Sequence, residues 1–193
     1  MKCTRYSSRE VNWMEMDEIV ARVKNGENHY FEHIINHYEQ KIFITVIRIV
    51  RNHAATEDIV QDIFIKVFYS LHKYKNTGSF NAWIYRIVVN LCIDYLRKHK
   101  YQTIEIASDV IDSRYPEKIL LLRERNEQLE RLLQQLDETD YFVLLLKYVN
   151  ELSYDEISEV LQISLNDVRN KLHRSKRKLR SIVTTEGGYF YEV

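Results

Sequence analysis

The chain has 193 residues, enough for one large domain or two small ones, each with its own core. Four glycines, one proline and 45% hydrophobic residues, arranged in long runs at helical spacing, indicate an all-α protein and leave no convincing alternating strand. The formal charge is zero, no apolar run is long enough to span a bilayer, and two cysteines far apart exclude a disulfide framework or a thiolate metal site.

The zero charge hides an uneven distribution. Residues 1–100 carry 15 Lys and Arg against 11 Asp and Glu, residues 101–140 carry 5 against 10, and residues 141–193 carry 8 against 7. An acidic middle therefore separates two segments with basic patches. Residues 66–100 hold 7 basic side chains and 1 acidic, and residues 169–180 hold 7 and none. Such clusters, rather than the total, decide whether a phosphate backbone is attracted.

The first dozen residues show no period and lack a leader layout, which gives the expectation of a cytoplasmic protein. A helical pattern starts near Trp13 and stops at Gly26, a glycine placed for a C-cap. A second helix over about residues 28–51 carries Phe31, Ile34, Ile35, Tyr38, Ile42, Val46 and Ile49 at three- and four-residue steps. His29, His33 and His37 stand one turn apart on it, but no Cys, Asp or Glu at companion spacing completes a zinc set, so we expect no metal.

A third helix, about residues 56–73, turns Ile59, Ile63, Phe64, Val67, Phe68 and Leu71 inward. Its other side presents Asp58, Gln61, Asp62 and Ile65, an acid–amide–acid group around a surface isoleucine. Such a group is either a solvated face or a docking patch with a small apolar centre and a polar rim.

A glycine-containing loop, residues 74–79, leads into the helix SFNAWIYRIVVNLCIDYLRKHK, residues 79–100. Phe80, Ile84, Ile87, Val88, Leu91 and Tyr95 project to one side, and Trp83, Arg86, Asn90 and Arg97 to a second stripe, with Asp94 among them. An aromatic beside cations and an amide can hold unpaired bases against a phosphate backbone. A core tryptophan beside a solvated basic face explains the same pattern.

Periodicity fades after Lys100. Residues 101–116 read as a linker with the only proline, followed by a charged, acidic helix over about residues 117–135. Residues 140–149 are almost continuously apolar and predict a buried helix. Ser153 and Glu156 have capping-box spacing, residues 162–164 make a short turn, and Ser164 with Asp167 starts a long last helix. Two helices across a tight turn form a helix-turn-helix. In the last helix Leu165, Val168, Leu172 and Leu179 are expected inside with Ser175 at the edge, and Asn166, Arg169, Asn170, His173, Arg174 and Arg177 outside. Asparagine can read adenine and arginine guanine, while further cations hold phosphates.

Three stretches, ATEDIVQDIFIKVF (55–68), FNAWIYRIVVNLCIDYLRK (80–98) and residues 144–180, resemble the extracytoplasmic-function sigma factors of the sigma-70 family. The resemblance implies a sigma-2-like domain over 1–100, a linker over 101–125, a sigma-4-like helix-turn-helix domain over 126–183 and a tail of no assigned role over 184–193. It implies two small helical domains joined by an acidic linker, with no catalytic residue, cofactor or small-molecule substrate. The implied partners are promoter DNA and core RNA polymerase, through its β′ coiled coil and β flap; the family leaves room for a membrane-bound anti-sigma factor. Asp58, Gln61, Asp62 and Ile65 become the polymerase contact. Tyr74, Lys75, Asn76, Phe80, Trp83, Arg86, Asn90, Arg97 and Lys98 become the minus-ten site, which captures a flipped base. Asn166, Arg169, Asn170, His173, Arg174 and Arg177 become the minus-thirty-five reader.

The chain departs from the family pattern in two places. Gln162 stands where glycine is common, so a left-handed backbone there would cost up to about 1–2 kcal/mol. Asp137 or Thr139 is expected to cap the helix that often begins with proline. A self-sufficient helix-turn-helix regulator would explain residues 140–182 but not the aromatic-basic helix. An all-helical enzyme would need a phosphate loop or nucleophile elbow that is absent from the sequence.

Overall fold

The computed structural model describes residues 15–75, 78–99, 133 and 135–185, and all of its regular structure there is helical. The chain divides into two compact units, Met1–Glu105 and Ile106–Val193. The linker and nearly all of the acidic helix expected over 117–135, together with Cys3, Trp13, Asn76 and the tail, lie outside the described residues.

In the first unit α1 spans Met16–Lys24, α2 Phe31–Val50, α3 His53–Ser70 and α4 Phe80–Lys98, with short 3-10 turns at Asn28–Tyr30 and Leu71–Lys73. Helix α1 ends in a Schellman motif. Gly26 takes φ 93°, its N–H donates to Val23 O at 3.0 Å, and the Glu27 N–H reaches Arg22 O at 3.1 Å. Helix α2 ends at Arg51, which is left-handed with φ 57°; Asn52 then caps α3, its side chain accepting from the Ala55 N–H at 3.0 Å. The two long helices are thereby folded back on each other, and α4 packs against both.

Ile34, Ile42 and Val46 of α2, Ile63 and Val67 of α3, and Ile84 and Val88 of α4 are fully buried between these helices. The buried face of α4 is wider than the expected stripe. Ala82, Tyr85, Val89 and Cys92 are buried with Phe80, Ile84 and Val88, whereas Ile87, Leu91 and Tyr95 are only partly covered. A helix covered by two neighbours buries two adjoining stripes, so its inward centre shifts toward Tyr85 and Cys92. Burial pushes the Cys92 thiol up to about 12, which leaves it protonated and unreactive.

In the second unit α5 spans Glu138–Tyr148, α6 Tyr154–Leu161 and α7 Leu165–Thr185. Tyr141 to Leu146 are buried at every position, so α5 is the central element, with α6 and α7 packed on it. Asp137 takes the N-cap position of α5 but makes no side-chain capping bond. The capping box of α6 is complete: the Glu156 N–H donates to Ser153 Oγ at 3.2 Å, and the Ser153 N–H donates to Glu156 Oε2 at 2.7 Å. Gln162 has φ 55° and ψ 41°, so the backbone at the turn is left-handed. Ser158 Oγ donates to Ile163 O at 2.6 Å and closes the turn. Ser164 and Asp167 then repeat the reciprocal cap, Asp167 N–H to Ser164 Oγ at 3.0 Å and Ser164 N–H to Asp167 Oδ2 at 3.3 Å. These bonds fix the angle at which α7 leaves the turn.

Candidate nucleic-acid interface

Three surfaces carry the residues singled out by sequence. On α3, Asp58, Gln61, Asp62 and Ile65 are all exposed and lie on one stripe. Ile65 is 55% exposed, which is costly for an isoleucine left in water. One turn further on, Tyr69 is 71% exposed and extends the same stripe. The spacing from Ile65 to Tyr69 was the available signal for it, an aromatic at i+4 on an otherwise polar face.

The second surface is built at the start of α4. Phe80 and Tyr74 are buried, with ring centroids 5.3 Å apart, and form a floor. Trp83 lies on this floor, stacked on Phe80 at 5.5 Å and tilted against Tyr74 at 5.4 Å. The indole is partly exposed, and Arg86, Asn90, Arg97 and Lys98 continue from it along the exposed side of the helix. Arg97 pairs with Asp94 at 2.9 Å, an exposed contact of little energetic weight.

The approach to the tryptophan is held from below. Tyr74 Oη donates to Gly78 O at 2.7 Å across the loop, and Lys24 Nζ donates to Tyr74 O at 2.6 Å. Tyr38 Oη donates to Asn81 Oδ1 beneath the first turn of α4. Lys75 is exposed beside this group. Tyr74 and Phe80, expected among the contacting residues, therefore sit under Trp83 as its support.

The third surface is α7. Val168 and Leu172 are buried, and so is Ser175, which the projection put at the edge; its hydroxyl has no hydrogen-bond partner among the described residues. Leu165 and Leu179 are only partly covered. The shift follows from α5 and α6 both packing on α7, which covers the side of the helix carrying Ser175. Asn166, Arg169, Asn170, His173 and Arg177 are exposed and uninterrupted by acidic residues on their face.

Arg174 is placed differently from the rest of that group. Its Nε donates to Asp140 Oδ2 at 3.0 Å and its Nη2 to Oδ1 at 2.7 Å, while Lys171 Nζ donates to Oδ1 at 3.1 Å. Asp140 is 3% exposed. Burial pushes its carboxyl up, but the hydrogen bonds and charges of Arg174 and Lys171 more than offset this and hold it below the usual carboxylate range. The same carboxylate raises Arg174 above its already high value. Nothing in the local sequence marks Asp140, because its partners are 31 and 34 residues away.

His29, in the 3-10 turn before α2, and His33 and His37 of α2 are engaged with aromatic neighbours. His29 and His33 lie 4.4 and 5.9 Å from the Tyr30 ring, and His37 lies 4.7 Å from Tyr38. Among the described residues no group of three or more His, Cys, Asp or Glu is placed to hold a metal, and no helix is long and apolar enough to cross a membrane.

Two family matches fall on these surfaces: sigma-70 region 2 over residues 34–101 and sigma-70 region 4 over residues 126–179. The sequence is 31% identical over 179 residues to the ECF RNA polymerase sigma factor SigW of Bacillus subtilis, covering 86% of this chain and 96% of that protein. The fold is similar to that of CnrH, solved in complex with the cytosolic domain of CnrY, with a TM-score of 0.68 at 20% identity over 86% of this chain and 96% of CnrH. It is also similar to that of the sigma factor RpoE, solved with the anti-sigma factor NepR from Bartonella quintana, with a TM-score of 0.66 at 15% identity over 80% of this chain and 96% of RpoE. The two matched regions stand in order along the chain and SigW aligns over almost its whole length, so the chain belongs to the extracytoplasmic-function sigma factors of the sigma-70 family, which direct RNA polymerase to promoters.

Proposed function

We propose that this sigma factor divides promoter recognition among the three surfaces. The α3 stripe of Asp58, Gln61, Asp62 and Ile65, extended by Tyr69, docks on the β′ coiled coil of core polymerase; the second unit meets the β flap. Trp83, with Arg86, Asn90, Arg97, Lys98 and Lys75 around it, captures a base of the minus-ten element as the strands part. Asn166, Arg169, Asn170, His173 and Arg177 on α7 read the minus-thirty-five duplex. The protein works in the cytoplasm, contributes no reaction of its own, and is open to restraint by an anti-sigma factor, as RpoE is bound by NepR.

The observation that carries this reading is the position of Trp83. An indole set on a buried aromatic floor and partly open to the surface is a rigid stacking platform. Stacking of one base on such a platform is worth about 1–3 kcal/mol, and the flanking cations hold the phosphates of the same strand. A helix-turn-helix alone accounts for α6 and α7 but gives no use to this platform or to the exposed Ile65.

The test is selection of promoter duplexes from a random library by the purified chain with core polymerase. The expected result is capture only in the presence of polymerase, with two separate sequence elements enriched. Equally tight capture of duplexes by the chain alone, as a dimer, would replace this reading with that of a duplex-binding regulator.

A further inference from the structure

Resting on the assignment of α7 to duplex DNA, we propose that Asp140 is a positioning residue which fixes Arg174 as a phosphate clamp, so that Arg174 takes no part in reading bases. The buried carboxylate holds the Nε and Nη2 side of the guanidinium and also accepts from Lys171 Nζ at 3.1 Å. The Arg174 side chain is nonetheless 54% exposed, and its bonds to Asp140 come from Nε and Nη2, which leaves the Nη1 donors for a phosphate. A cation held in this way loses little conformational freedom when it meets a phosphate oxygen.

Its place on the helix selects phosphate over base. Helix-turn-helix proteins read base edges with the first turns of the recognition helix, while positions further along and toward the neighbouring helix meet the backbone. Arg169 and Asn170 stand in the second turn of α7. Arg174 stands in the third, on the side anchored to the start of α5. The carboxylate also neutralises part of the local charge, so the cluster Asp140–Lys171–Arg174 offers one directed donor group in place of two mobile cations.

The experiment measures binding of the holoenzyme, core polymerase with the full chain, to a random duplex library and then to the duplexes it selects, over a range of salt concentrations. Arg174→Gln is expected to weaken every selected duplex by a similar factor, about 3–10-fold, and to make the dependence of log affinity on log salt shallower by about one. The selected sequence stays the same, whereas Arg169→Gln relaxes one base position. Asp140→Asn adds a unit of positive charge to the protein, so a purely long-range effect would tighten binding; the clamp predicts weaker binding. In an Arg174→Gln background Asp140→Asn no longer weakens DNA binding, because only the long-range charge effect remains. Arg174→Lys, which keeps the buried carboxylate paired, serves if Asp140→Asn fails to fold, and should likewise weaken all duplexes alike.

A changed base preference with Arg174→Gln or Arg174→Lys would overturn the assignment and make Arg174 a base reader. Unchanged affinity with Asp140→Asn or Arg174→Lys, beside a lowered melting temperature, would make the cluster structural only. If Arg169→Gln and Asn170→Ala also left duplex selection untouched, the assignment of α7 itself would fall.

Discussion

Gln162 shows how one residue can carry a conformational cost inside the tight turn between two helices. Its φ of 55° places a Cβ where L-residues are disfavoured by about 1–2 kcal/mol, and glycine would remove that strain while adding about 0.5–1 kcal/mol of unfolded-state entropy. We therefore expect Gln162→Gly to leave the melting temperature of the second unit unchanged or to raise it by a few degrees, measured by thermal unfolding; a clear fall would contradict the account. The departure from glycine is visible in the sequence, and so are the caps at Ser153 and Ser164, because these depend on residues within three positions of each other. Asp140 was not legible at all. Its character depends on Lys171 and Arg174, which only the packing of α5 against α7 brings to it. The same packing explains why Ser175 is buried and why Arg174, grouped by periodicity with five free side chains, is held apart from them.

At the scale of the element, periodicity located each helix but not the number of its neighbours. In α3 the two sides separate cleanly, since Ile59, Ile63 and Val67 meet the core and Asp58, Asp62 and Ile65 meet solvent. In α4 the covered surface is twice as wide as one stripe, and the projection missed Tyr85 and Cys92 for that reason. The exposed stripe of α3 gives the sharper prediction. Asp62→Lys replaces an acid at the centre of the proposed docking patch and touches no buried atom, so it should weaken binding to core polymerase at least tenfold while the melting temperature moves by less than a few degrees. Titration of labelled protein with core polymerase measures it, and unchanged affinity would remove the docking role from this face.

For the whole molecule, the two units meet different demands with different resources. The first is held by apolar packing of three long helices, and its polar bonds support the platform under Trp83. The second adds a buried carboxylate, Asp140, paired with two partly exposed cations, which ties its stability to pH. The Asp140 carboxyl is depressed in the folded state, so its contribution is fully present above the ordinary carboxylate value of about 4 and is lost as pH falls through the lower folded value. Thermal melts taken from neutral pH downward should show the second unit losing stability below about pH 4, with a weaker loss in Asp140→Asn; an identical acid profile in the variant would contradict this. The two-unit arrangement and the basic patches were legible in composition and charge. The support of the platform was not, because Lys24, Tyr38 and Tyr74 come from separate parts of the chain.

The most direct measurement concerns Trp83→Ala in the holoenzyme, with strand opening followed by fluorescence of a base analogue in the minus-ten element of a selected promoter. The account predicts that core polymerase binding and upstream duplex capture stay within about twofold of the parent. Opening falls about 5- to 150-fold, as expected for loss of a stacking contact of about 1–3 kcal/mol. Equal loss of polymerase binding and opening would make Trp83 a core residue, and undiminished opening would deny that α4 holds separated strands.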